Sequence, residues 1–144
     1  MIITDRAVIH APVDVVWDVT TDIDGLPDAT PTITKAEPLD PLPLAVGGRA
    51  RLTQPGLSTR EWTVTEVEEG RVFAWSTRVM GVRMTGRHEL RAVPEGCENT
   101  LSIEMTGFGA GLLARLSRGR MTQSLATENA GFRRVAEARV SRNA

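Results

Sequence analysis

The sequence predicts an α+β protein: an antiparallel sheet with one face covered by a long C-terminal helix. Three observations lead there. Residues 49–107 divide into five apolar-rich runs separated by short turn signals, the pattern of a strand meander. Residues 82–92 alternate strictly, with Arg83, Thr85, Arg87, Glu89 and Arg91 on one face and Val82, Met84, Gly86, His88, Leu90 and Ala92 on the other. Such a period of two means one wet face and one covered face. Residues 110–139 hold no proline and read as the helix that does the covering.

The elements follow in order. Residues 2–10 are rich in β-branched side chains and read as a strand that Ala11-Pro12 ends. Pro12 suits the first turn of a helix, where its missing N–H is no loss. Val13, Val16, Trp17 and Thr20 then recur at helical spacing, leaving Asp14, Asp18 and Asp22 on the opposite side. Gly25, Pro27 and Pro31 allow only a short second helix. A strand is expected over 32–37, then a loop punctuated by Pro38, Pro41, Pro43 and Gly47-Gly48. The meander strands are expected at 49–54, 60–68, 71–79, 82–93 and 99–107, with Cys97 in a Glu-Gly-Cys-Glu turn before the last. In the long helix the apolar stripe changes phase: Leu112, Leu113 and Leu116 share one side, while Met121, Leu125, Phe132, Val135 and Ala136 share another. One sheet cannot take both stripes of a straight helix, so a bend or break is expected at Gly119.

A length of 144 residues fits one domain, so 1–144 is expected to be a single folding unit. Hydrophobic residues at 41% and charged residues at 24% are ordinary for a globular protein and argue against disorder, collagen and coiled coil. No apolar run reaches the ~20 residues of a membrane span. The start, Met-Ile-Ile-Thr-Asp-Arg, lacks the pattern of a signal peptide, so a cytoplasmic location is expected. One cysteine excludes an internal disulfide and a cysteine zinc site, and two histidines make a histidine-rich metal site unexpected. No phosphate loop, nucleophile elbow or metal-ligand spacing is present, and no cofactor is expected. The net charge of −1 gives no strong pull toward nucleic acid. The charge is uneven, however. Residues 1–48 hold eight acids and two bases, and residues 110–144 hold seven arginines against Glu128 and Glu137. The two ends are expected to meet, within the fold or across a homodimer.

The run His10-Ala11-Pro12-Val13-Asp14-Val15-Val16-Trp17-Asp18-Val19 resembles the "APxxxVW" opening of the first helix in the START-like (SRPBCC) superfamily. Within it the likeness is to the polyketide cyclase/dehydrase and lipid-transport group. Asp22, Pro27 with Pro31, Gly47-Gly48 and Trp62-Thr-Val-Thr-Glu-Val67 fit the family's later landmarks in order, over roughly residues 2–139. Ala29 and Thr30 stand where relatives often carry tryptophan and asparagine, so that wall is expected to be less bulky or differently closed. The resemblance implies a helix-grip fold, in which the sheet wraps the C-terminal helix around a cavity. Such a cavity suits small apolar or amphipathic molecules. Family members serve as carriers, aromatase/cyclases or regulators, so the fold alone does not choose among them.

The candidate site residues come from the covered face. His88 there is a hydrogen-bond anchor or general acid/base, or else a core histidine satisfied by its surroundings. Glu128 lies on the second stripe of the long helix, with Gln123 and Thr127 toward the first. If buried, its pKa rises and it can move protons. Otherwise it reaches water, as most glutamates do. Trp62, Phe73, Trp75 and Phe132 are core or cavity wall. Met80, Met84, Met105 and Met121 are adaptable filler suited to loose specificity. Leu90 and Leu116 complete the expected ligand-binding set, and Asp14, Asp18 and Asp22 are expected to be a solvated ladder. The arginines of the long helix lack an aromatic platform for nucleic acid and are expected on solvated faces or in a dimer contact. The leading expectation is a carrier of a small apolar or aromatic ligand, with no nucleic-acid partner and no stable membrane insertion. A cyclase/dehydratase using His88 or Glu128 is the alternative, and a protein-interaction module is a third.

Overall fold

The computed structural model describes residues 1–143. Strand β1 (Ile2–Ile9) leads into helix α1 (Val13–Thr21) and the short α2 (Leu26–Ala29). Then come β2 (Lys35–Pro38), β3 (Arg49–Thr53), β4 (Arg60–Glu68), β5 (Val72–Val79), β6 (Val82–Val93), β7 (Gly96–Thr106) and helix α3 (Ala110–Asn143). The seven strands form one antiparallel sheet in the order β1-β7-β6-β5-β4-β3-β2. The curved sheet grips α3, which is the helix-grip arrangement.

Pro12 caps α1, its carbonyl accepting the N–H groups of Val15 and Val16. Val16, Trp17 and Thr20 are buried, and Asp14 and Asp18 face solvent. The alternation along β6 is reproduced from Val82 to Leu90: Val82, Met84, Gly86, His88 and Leu90 are buried, and Arg83 is exposed with Arg87 half-buried. Ala92 departs from it. It is exposed, near the C-terminal end of the strand. Two element boundaries also differ. The strand expected over 32–37 begins at Lys35, because Thr30 and Thr32 join hydroxyls in a turn just before it. The last strand begins at Gly96, so Cys97 lies buried within β7, opposite Ile9 and Ala92, and not in a turn.

Helix α3 runs unbroken through Gly119, which corrects the expected break. A single helical glycine costs about 1 kcal/mol against alanine, too little to end a long helix. The two stripes are reconciled differently. The second packs on the sheet through Leu125, Phe132 and Ala136, while Leu112 and Leu116 of the first are exposed. Only Leu113 of that stripe turns inward.

Two contacts fix the C-terminal half of α3. Asn129 accepts a hydrogen bond from Asn99 of β7 at 2.8 Å and donates to the Asp5 carboxylate of β1 at 2.8 Å. Gly131 lets α2 come close, since a Cβ there would lie 1.9 Å from the Ala29 carbonyl oxygen. The acidic and basic ends do meet within the fold. Asp22 faces Arg139 at 3.6 Å, Glu137 accepts the His10 N–H, and Arg134 donates to the Asp28 carbonyl.

Candidate ligand cavity

Between the inner face of the sheet and α3 lies a cavity of about 510 Å³. Its walls follow from the alternation already described. Trp62 of β4, Met84 of β6, and Ile103 and Met105 of β7 point inward, and Leu113, Met121 and Leu125 of α3 face them. Four of the five methionines, Met80, Met84, Met105 and Met121, line it. Unbranched thioethers let such a wall adapt to more than one ligand shape.

A recess of about 40 Å³ opens off the same region and shares Gln54, Trp62, Ile103, Leu125 and Glu128 with the main cavity. Gly86 makes room for it. A methyl group at Gly86 would touch the Trp75 ring at 3.5 Å, so any side chain there takes space from the recess. Trp75, His88 and Leu101 also line it. Its size suits one polar group.

The recess holds the polar chemistry. His88 is 6% exposed, with its ring between Phe73 and Phe132 at centroid distances of 6.1 and 5.7 Å. Its Nε2 faces Glu128 Oε1 at 3.9 Å, too far for a hydrogen bond, and its Nδ1 has no protein partner. The Trp62 Nε1–H, also buried, has none either. Burial favours the neutral form of both titratable groups. It pushes Glu128 up to about 7, against a side-chain hydrogen bond from Thr32, and pushes His88 down to about 4. Near neutral pH the site therefore holds a neutral imidazole with one donor and one acceptor. Beside it is a carboxyl group near its titration midpoint, and an indole donor is close by. These groups can bind a carbonyl or hydroxyl oxygen, and Glu128 can give or take a proton.

The expected site residues fall into four sets. Trp62, Met84, Met105, Gln123, Thr127 and Glu128 line the main cavity, and Trp75 and His88 line the recess. Phe73 and Leu90 are buried but outside both, Phe73 being packed edge-on behind Trp75. Leu116 must be corrected: it points to solvent, because α3 stays continuous and never turns its first stripe onto the sheet. Sequence reasoning missed Gln54, Pro55 and Leu57, which close one side of the mouth from the β3–β4 loop, and Ser117 and Arg120, which close the other. Loop residues carry no periodicity to reveal their direction. The Arg120 guanidinium rests against Gly56, a contact between segments remote in sequence.

Comparison with known proteins places the chain in a family. The family described as Polyketide cyclase / dehydrase and lipid transport matches residues 1–137, and the chain belongs to that family. No curated protein matches the sequence. Among solved structures, protein MLL2253 from Mesorhizobium loti superposes with a TM-score of 0.77 at 13% identity, covering 96% of this chain and 98% of that one. Hypothetical protein jhp0584 from Helicobacter pylori gives 0.80 at 13% identity, covering 94% and 88%. The di-domain ARO/CYC StfQ from the steffimycin biosynthetic pathway gives 0.75 at 15% identity, covering 97% of this chain and 51% of that one. At such identities the likeness is one of fold.

Proposed function

We propose that this chain binds a small, mostly apolar molecule with one buried oxygen function and carries it in the cavity between sheet and α3. The observation that carries this reading is the pairing of an apolar, methionine-rich cavity of about 510 Å³ with unpartnered Trp62 Nε1 and His88 Nδ1 atoms. Apolar burial supplies most of the affinity at ~25 cal/mol per Å², and the recess fixes orientation. No helix among the described residues is long and apolar enough to cross a membrane, and the ligand is expected to be taken from solution or from a surface. The test is mass spectrometry of ligand retained through native purification, followed by titration of the identified molecule. His88→Ala should weaken binding about fivefold, the worth of one hydrogen bond.

A second reading has its own observation. A carboxyl group near its titration midpoint at pH 7, beside a neutral imidazole, suits a cyclase or dehydratase that moves protons. Polyketide-like intermediates incubated with wild type, Glu128→Gln and His88→Ala separate the two readings. Product formed by wild type and lost a hundredfold or more in either variant favours the enzyme. No product, with ligand still retained, favours the carrier.

A further inference from the structure

Apart from Leu113, the first apolar stripe of α3 does not turn toward the sheet, and its surroundings bear on what it is for. Phe108, Leu112 and Leu116 follow one another at four-residue intervals and are 100%, 65% and 77% exposed. Met80, at the tip of the β5–β6 hairpin, is 85% exposed and also lines the cavity, so it stands at the mouth. The hairpin tip and the turn carrying Phe108 are adjacent: a Cβ on Gly107 would lie 3.6 Å from the Gly81 carbonyl oxygen. Two separate elements thus present four large apolar side chains around one end of the molecule.

Along residues 105–127, which carry Phe108, Leu112 and Leu116, the charge is of one sign. At ~100° per residue, Arg115 and Arg120 flank the Leu112–Leu116 stripe on its two sides, with Arg118 further round. All three are exposed. No acidic residue occurs between Glu104 and Glu128. A second copy docked face to face would set arginine against arginine with no carboxylate between, so charge opposes a dimer through this face. An apolar stripe bordered by arginines is the chemistry of a helix lying in a lipid interface, where side chains enter the acyl boundary and guanidinium groups pair with phosphates.

We propose that this end of the molecule, Met80 with Phe108, Leu112 and Leu116 inside an arginine border, docks on the surface of an anionic lipid bilayer. The cavity mouth then lies against the membrane. Docking needs no cavity ligand, so a protein whose cavity takes nothing and still docks leaves this proposal standing.

Cosedimentation with vesicles is the test. Wild type should bind vesicles of phosphatidylcholine with phosphatidylglycerol, bind phosphatidylcholine alone far less, and release as salt rises. Arg115→Gln with Arg120→Gln should weaken binding to the anionic vesicles roughly thirtyfold, about fivefold for each charge. Leu112→Ser with Leu116→Ser, and separately Met80→Ser, should weaken it tenfold or more with circular dichroism unchanged, since these side chains are exposed. Absence of wild-type binding to the anionic vesicles overturns the proposal, as does binding indifferent to all three variants. A dimer that dissociates in the leucine variant assigns the face to a second copy. A salt-sensitive complex with polyglutamate, without vesicle binding, assigns it to an acidic protein. Either result also overturns the proposal.

Discussion

Glu128 and His88 titrate in opposite senses, and the consequence is measurable. The Glu128 carboxyl, raised from 4.5 to about 7, binds a proton in the folded protein over a range where the unfolded chain has lost it. Stability contributed by that group therefore falls as pH rises through this window, by about 3 kcal/mol in all. His88, lowered from 6.5 to about 4, stays neutral in the folded protein while the unfolded chain is protonated. Its contribution rises over nearly the same interval, by about 3 kcal/mol. The two slopes nearly cancel between pH 4.5 and 6.5. We expect chemical denaturation of Glu128→Gln to show stability climbing with pH across that window, and His88→Phe to show it declining. Parallel profiles for wild type and both variants would mean that the groups are not buried as described. The inward direction of His88 was legible from alternation along a single strand. Its approach to Glu128 was not, because that contact joins residues on β6 and α3 whose relative height no local pattern encodes.

At the scale of the element, α3 carries two glycines with opposite roles. Nothing lies within 4 Å of a Cβ placed on Gly119, so Gly119→Ala should stabilise the protein by about 1 kcal/mol through helix propensity. Gly131 meets the Ala29 backbone, so Gly131→Ala should cost about 1–3 kcal/mol as α2 is pushed away. Urea midpoints read both, and a stabilising Gly131→Ala would mean that α2 does not seat there. The same helix shows where sequence patterning stops. The change of stripe phase was visible, yet it signalled a face left exposed and not a break in the chain. The buried Asn99–Asn129 pair gave no signal at all, since its two members lie in separate elements and each reads alone as an ordinary polar residue.

For the molecule as a whole, the order of elements and the covering of the sheet by α3 were readable from turn punctuation and alternation, and the helix-grip arrangement from family resemblance. The cavity was implied only through family resemblance, because the space between packed layers is a property of summed side-chain volumes. Its use can be probed by filling it. Met84→Trp should lower affinity for a bound apolar ligand at least tenfold while leaving the far-ultraviolet spectrum unchanged. Gly86→Ala, which narrows only the recess, should reduce affinity for ligands bearing a carbonyl or hydroxyl more than for plain hydrocarbons. Equal losses for both ligand types would show that the recess does not hold the oxygen function. A true ligand should raise the midpoint of thermal unfolding in proportion to the logarithm of its concentration.

The pairing of β1 with β7 has a consequence for how the chain comes to be folded. Their partners, from Ile2↔Glu104 to Ile9↔Cys97, lie roughly a hundred residues apart, whereas β3 to β7 are joined by successive local hairpins. Loop-closure entropy favours the hairpins first. A nascent chain emerging from the ribosome thus carries β1 as an unpaired segment until β7 has left the exit tunnel. The meander can form as a ribbon in that interval, but its inner face stays uncovered until α3 follows. Folding of this domain is therefore completed by β7 and α3, and β1, though made before them, is among the last of its strands to be paired.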